Sequence, residues 1–61
     1  MPREIRDLIR DLEKAEFELR SVRGSHRKYV RGEVTVIVSG NTGDDAKKYQ
    51  ERAVQDALGQ K

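Results

Sequence analysis

His26 is the one imidazole in a chain of 61 residues that has no cysteine, so proton-transfer chemistry near neutral pH falls first on this side chain. An imidazole can take a proton from a hydroxyl and return one to a leaving group. Its neighbours in sequence are cationic. Arg20, Arg23, Arg27, Lys28 and Arg31 lie between Leu19 and Gly32, with no Asp or Glu among them. That stretch carries five positive charges while the whole chain carries +2, which leaves the remainder at −3. A local basic run in an otherwise slightly acidic protein is the footprint expected for a phosphate ligand, although a solvated face has the same composition. The chemistry these residue types support is removal of a hydroxyl proton beside a phosphate, with cations steadying the charge that develops on the phosphoryl oxygens.

Other chemistries are excluded or weakened by composition. Without cysteine there is no disulfide framework, thiolate metal site or thiol nucleophile. A single histidine needs carboxylate help to hold zinc, and no HExxH-like spacing occurs, so no metal and no cofactor are expected. Ser25 has no visible carboxylate–histidine relay and does not read as a hydrolase nucleophile. Gly40 and Gly43 have the spacing of a backbone-clamping RNA loop, but they join a strand to a helix rather than two helices. The N-terminal apolar residues Ile5, Leu8, Ile9 and Leu12 are interrupted by charges, which fits neither a signal peptide nor a membrane span. A cytosolic protein without a membrane partner is the expectation.

The elements that must carry His26 follow from periodicity. Ile5, Leu8, Ile9 and Leu12 fall at i, i+3, i+4 and i+7, an apolar stripe that predicts a helix with Pro2 in its first turn and an end near Lys14. From Phe17 the period changes to two: Phe17, Leu19 and Ser21 alternate with Glu18 and Arg20, as in a half-buried strand. Arg23-Gly24-Ser25 predicts a turn, His26 to Val30 a second strand, and Arg31-Gly32 a hairpin turn into the β-branched run Glu33 to Val38. Gly40 to Gly43 forms a loop. A second helix follows, capped by Asp44 or Asp45, with Ala46, Tyr49, Ala53, Val54, Ala57 and Leu58 inward and Gly59 at its end.

Residues 1–61 therefore predict one α+β domain, a three-stranded antiparallel sheet with two helices on one face. A domain this short buries only roughly 60% of its unfolded surface, so its chemistry belongs on the open sheet face rather than in a deep pocket. Strand parity places His26 and Lys28 together on that face if Tyr29 turns to the core, and sends Arg27 with Tyr29.

The Gly24-Ser25-His26-Arg27-x-Tyr29 element follows an amphipathic helix and Phe17, and precedes the Val34-Thr35-Val36 strand and a terminal helix. It resembles the HicA (YcfA-like) mRNA interferase toxins over nearly the whole chain. The resemblance implies a double-stranded-RNA-binding-like α-β-β-β-α fold that cleaves mRNA without a metal. It puts the catalytic histidine on His26 and the turn glycine on Gly24. It also implies a HicB-type antitoxin that masks the histidine, with the toxin alone monomeric. Gly24, Ser25, Lys28, Arg23 and Arg27 are the expected RNA- and phosphate-binding residues. Two non-enzymatic readings stand beside this one: a double-stranded RNA binder of similar fold, and an interaction module that docks a protein on the Ile37 side of the sheet.

Overall fold

The computed structural model describes residues 3–59 and has the expected element order: α1 (Ile5–Lys14), β1 (Glu18–Arg23), β2 (His26–Arg31), β3 (Val34–Ser39) and α2 (Lys48–Leu58). The strands form an antiparallel sheet in the order β1-β2-β3, and both helices lie on one side of it, against β3 and against each other. Pro2 lies outside the described residues.

The core is a single apolar cluster. Ile5, Leu8 and Leu12 from α1 meet Tyr29, Val36 and Val38 from the sheet and Val54 and Ala57 from α2, with Phe17 and Ala46 closing the two ends. Each fully buried Leu or Ile contributes about 1.5–3 kcal/mol relative to exposure. The whole domain, at this length, is stable by roughly 3–9 kcal/mol, so losing one such side chain is comparable with its total stability. The Tyr29 ring is buried with this cluster. Burial, and then the nearby Glu13 carboxylate, hold its phenol above the ordinary tyrosine range, with Arg27 opposing, so the phenol is neutral wherever the domain functions.

The C-terminus of α1 fixes where the sheet begins. Phe17 N–H donates to the Leu12 carbonyl at 2.9 Å and Glu16 N–H to the Glu13 carbonyl at 3.0 Å. These are the two bonds of a Schellman motif, and Leu12 and Phe17, both buried, supply its usual apolar contact. The motif needs a left-handed residue, and Glu16 fills that position with φ 70°. Arg31 closes the same corner: its guanidinium stands 4.6 Å from the Phe17 ring centre and donates to the Ala15 carbonyl at 3.0 Å. This cation of the basic run therefore serves the fold.

Three expectations are corrected. β1 is exposed along its length rather than half-buried, because α1 and α2 pack over β3 and leave this edge strand uncovered. Neither Asp44 nor Asp45 caps α2, which starts at Lys48 with Lys47 as its N-cap. The loop containing them instead caps α1: the carbonyls of Asp44 and Thr42 accept from Ile5 N–H at 2.9 Å and Arg6 N–H at 3.1 Å, and Asp44 Oδ2 accepts from Asn41 N–H at 3.0 Å. Finally, the inner stripe of α2 is Gln50, Val54 and Ala57, following Ala46 at helical spacing, while Tyr49 and Ala53 are exposed.

A non-glycine residue in the left-handed region costs roughly 1–2 kcal/mol. Because Glu16 is exposed, Glu16→Gly is expected to raise stability by about 1 kcal/mol, read as a higher urea midpoint with an unchanged slope. A lower midpoint would show that the Glu16 side chain contributes more than its backbone strain removes.

Candidate active site

β2 carries the candidate residues, and its register decides their company. The turn Gly24-Ser25 joins β1 to β2, with Gly24 at φ 58°, the left-handed first position that two-residue hairpin turns assign to glycine. His26 follows immediately and pairs with Arg23 on one side and Ser39 on the other. The next outward-facing row is Ser21, Lys28 and Ile37, and the third is Glu18, Val30 and Thr35. Tyr29 is buried, so the strand's period of two turns His26 and Lys28 to the open face, as the sequence predicts.

An irregularity in β1 reconciles these rows with the pairing of Leu19 opposite Tyr29. Leu19 pairs with Tyr29 and Ser21 with Lys28, so Arg20 is an extra residue in the ladder, a β-bulge. Unbroken alternation from Phe17 would put Ser21 with Leu19 on the helix side. The bulge shifts parity by one relative to Phe17, so that Ser21 and Arg23 share the face of His26. Arg20 itself pairs with Glu18 at 3.1 Å on the surface.

The open face holds a shallow depression of about 140 Å³ lined by Ser21, Arg23, His26, Lys28 and Ile37, with Arg27 of the opposite parity also at its wall. Ile37 is 59% exposed and gives it an apolar floor. Arg23 and Lys28 are exposed, and among the described residues no ion pair holds either one. Larger hollows lie along the outside of α2 and beside the loop over α1, but neither is lined by a histidine. The small depression is the one that combines an imidazole with cations.

The expected site residues divide into two groups. His26, Lys28 and Arg23 come together on the open face, next to the Gly24-Ser25 turn. Arg27 also lines the depression, but its guanidinium is engaged, Nη1 donating to the Gly40 carbonyl at 3.3 Å. One residue was missed by sequence reasoning. Ser39 Oγ lies 3.1 Å from His26 Nδ1, a hydrogen bond across 13 residues of sequence. No local spacing signals it, and only the pairing of β2 with β3 creates it.

No group of three or more His, Cys, Asp or Glu side chains among the described residues is arranged to hold a metal ion. Nor is any described helix long and apolar enough to cross a membrane.

The protein is thus a small α-β-β-β-α domain with an open sheet face and two cations beside an exposed histidine at its first hairpin. Residues 5–60 match the family model described as the HicA toxin of bacterial toxin–antitoxin systems, and the chain belongs to this family. No curated protein and no solved structure matches the chain at a significant level.

Deleting Arg20 leaves Leu19 opposite Tyr29 and Ser21 opposite Lys28 in a regular ladder. The deletion variant is expected to fold and to keep the cross-strand nuclear Overhauser contacts between Arg23 and His26. Loss of those contacts in a folded variant would mean that the bulge, rather than the turn, holds Arg23 in place.

Proposed function

We propose that this HicA-family toxin is an endoribonuclease that cuts mRNA by proton transfer through His26. The observation that carries the reading is the row of Arg23 and His26 with Lys28 beside it, on a face that no helix covers. Family membership supplies the toxin assignment, and the chemistry of this row supports the mechanism.

In the proposed reaction the neutral imidazole of His26 accepts the proton of a ribose 2′-hydroxyl. The 2′-oxygen attacks the adjacent phosphorus, the bond from phosphorus to the 5′-oxygen breaks, and the imidazolium returns its proton to that oxygen. The products are a 2′,3′-cyclic phosphate and a 5′-hydroxyl. Lys28 and Arg23 stabilise the extra negative charge on the phosphoryl oxygens, and the Gly24-Ser25 turn lets the backbone approach the strand closely. The Ile37 floor gives a ribose or base an apolar surface. Imidazole and cations together carry the proton and charge transfers, so the reaction as written is metal-independent. With one histidine acting as base and then as acid, turnover is slow, which suits a toxin whose damage accumulates.

The site is open to solvent, and a toxin of this kind acts in the cytoplasm, where it meets mRNA. A HicB-type antitoxin that covers the face of His26 would silence it, giving a hetero-oligomer from a toxin that is monomeric alone. A non-catalytic RNA binder would use the same cations without the imidazole, and substitution separates the two.

His26→Ala should lower RNA cleavage by about 10²–10⁴-fold, the usual range for a lost acid–base group, and abolish growth arrest. Its circular dichroism should be unchanged, because His26 is exposed and outside the core. Lys28→Gln should instead weaken RNA binding and lower the slope of log affinity against log salt by about 0.7. Cleavage and growth arrest at parental levels in His26→Ala would overturn the catalytic reading, and RNA binding without cleavage by the parent would favour the non-catalytic one.

A further inference from the structure

We infer that Ser39 is the positioning residue of His26, holding the ring with Nδ1 protonated so that Nε2 is the nitrogen presented to RNA. The inference rests on the proposed catalysis by His26. It starts from the 3.1 Å contact between His26 Nδ1 and Ser39 Oγ, made between directly paired residues at the end of the β2–β3 ladder.

The contact is anchored from behind. The Ser39 carbonyl accepts from Gln50 Nε2 at 2.8 Å, and Gln50 Oε1 accepts from Lys47 N–H at 2.9 Å. Gln50 is the buried polar side chain of the described residues, and it fastens the end of β3 to the first turn of α2. The next residue is held from the other side, since Gly40 N–H donates to the Ser25 carbonyl at 3.2 Å and the Gly40 carbonyl accepts from Arg27. A side chain on such a pinned backbone can fix the orientation of an exposed one. His26, exposed at the start of β2, lies outside the core cluster that fixes buried side chains.

The direction of the bond follows from what a base needs. If Nδ1–H donates to Ser39 Oγ, the lone pair on Nε2 is free to accept a hydroxyl proton. Once Nε2 is protonated, Nδ1–H still donates to the same oxygen, so the contact persists through the proton cycle without rearrangement. The reverse arrangement, in which the serine hydroxyl donates to Nδ1, points a proton at the substrate and must break when the ring becomes cationic. The charged groups that line the depression with the ring are Arg23 from β1 and Arg27 and Lys28 from β2, all side-chain donors with no acceptor atom. Ser21, the other hydroxyl of the depression, pairs with Lys28, one row away, whereas Ser39 pairs directly with His26.

Because the chain has one histidine, untagged protein gives one set of imidazole resonances, and long-range ¹H–¹⁵N correlation reads the ring form without ambiguity. In the parent, the neutral ring is expected to be mainly Nδ1–H. In Ser39→Ala it should shift toward Nε2–H, the form free imidazole side chains favour. RNA cleavage should fall about 10–100-fold, by analogy with the loss of hydrogen-bond partners that orient metal-ligating histidines. The loss should lie in kcat with little change in KM, and Ser39→Thr, which keeps the hydroxyl, should restore both readouts. A neutral parent ring that is mainly Nε2–H overturns the inference, whatever the variants do. So does Ser39→Ala with parental ring form or parental cleavage. If His26→Ala is inactive while Ser39→Ala is not, the positioning role alone fails; if His26→Ala retains activity, the catalytic reading fails first.

Discussion

Burial of the Tyr29 ring between the sheet and α1 is the constraint on which the arrangement of this protein depends. A strand alternates its side chains without exception unless a bulge intervenes, so anchoring Tyr29 in the core turns His26 and Lys28 outward and Arg27 and Arg31 toward the helices. The same anchoring divides the basic run. Arg31 closes the corner between α1 and β1, Arg27 holds the Gly40 carbonyl, and Arg20 pairs with Glu18, which leaves Arg23 and Lys28 beside the imidazole. What reads as one patch in the sequence is two cations at a site and three committed elsewhere.

Much of this was legible in the sequence because periodicity reports directly on which face is buried. The stripe of Ile5, Leu8 and Leu12, the β-branched run around Val36 and the glycines of the two hairpins each admit one reading. The parity of β2 followed from them. The Arg20 bulge was not legible, since an extra residue in an exposed edge strand leaves no apolar mismatch to betray it. The start of α2 was misread because Asp44 and Asp45 have the chemistry of caps. The nearest orphan donors in space belong to α1, whose first N–H groups take the loop's carbonyls. Ser39 was invisible for a different reason: its partnership with His26 is a property of strand register, and register is a tertiary fact.

Small size explains the form of the site. A chain of 61 residues has one apolar cluster, and that cluster occupies the helix-covered side of the sheet. The candidate site residues lie on the open face, where they are held by strand pairing rather than by walls. Precision then has to come from cross-strand partners and from anchored strand ends. The bonds from Lys47 to Gln50 and from Gln50 to Ser39 supply such an anchor, tying the terminal turn of the sheet to a helix on its far side. An exposed and weakly enclosed face of this kind is open to a macromolecular ligand.

If His26 removes a ribose 2′-proton, as proposed, the neighbouring 2′-oxygen is the attacking group. The most direct test is the chemistry of the ends left by the purified protein on a defined RNA. Attack by the 2′-oxygen leaves 2′,3′-cyclic phosphate and 5′-hydroxyl termini, and makes no cut at a position where the 2′-hydroxyl is replaced by hydrogen. Fragments ending in 3′-hydroxyl and 5′-phosphate, or cleavage at the 2′-deoxy position, would contradict it.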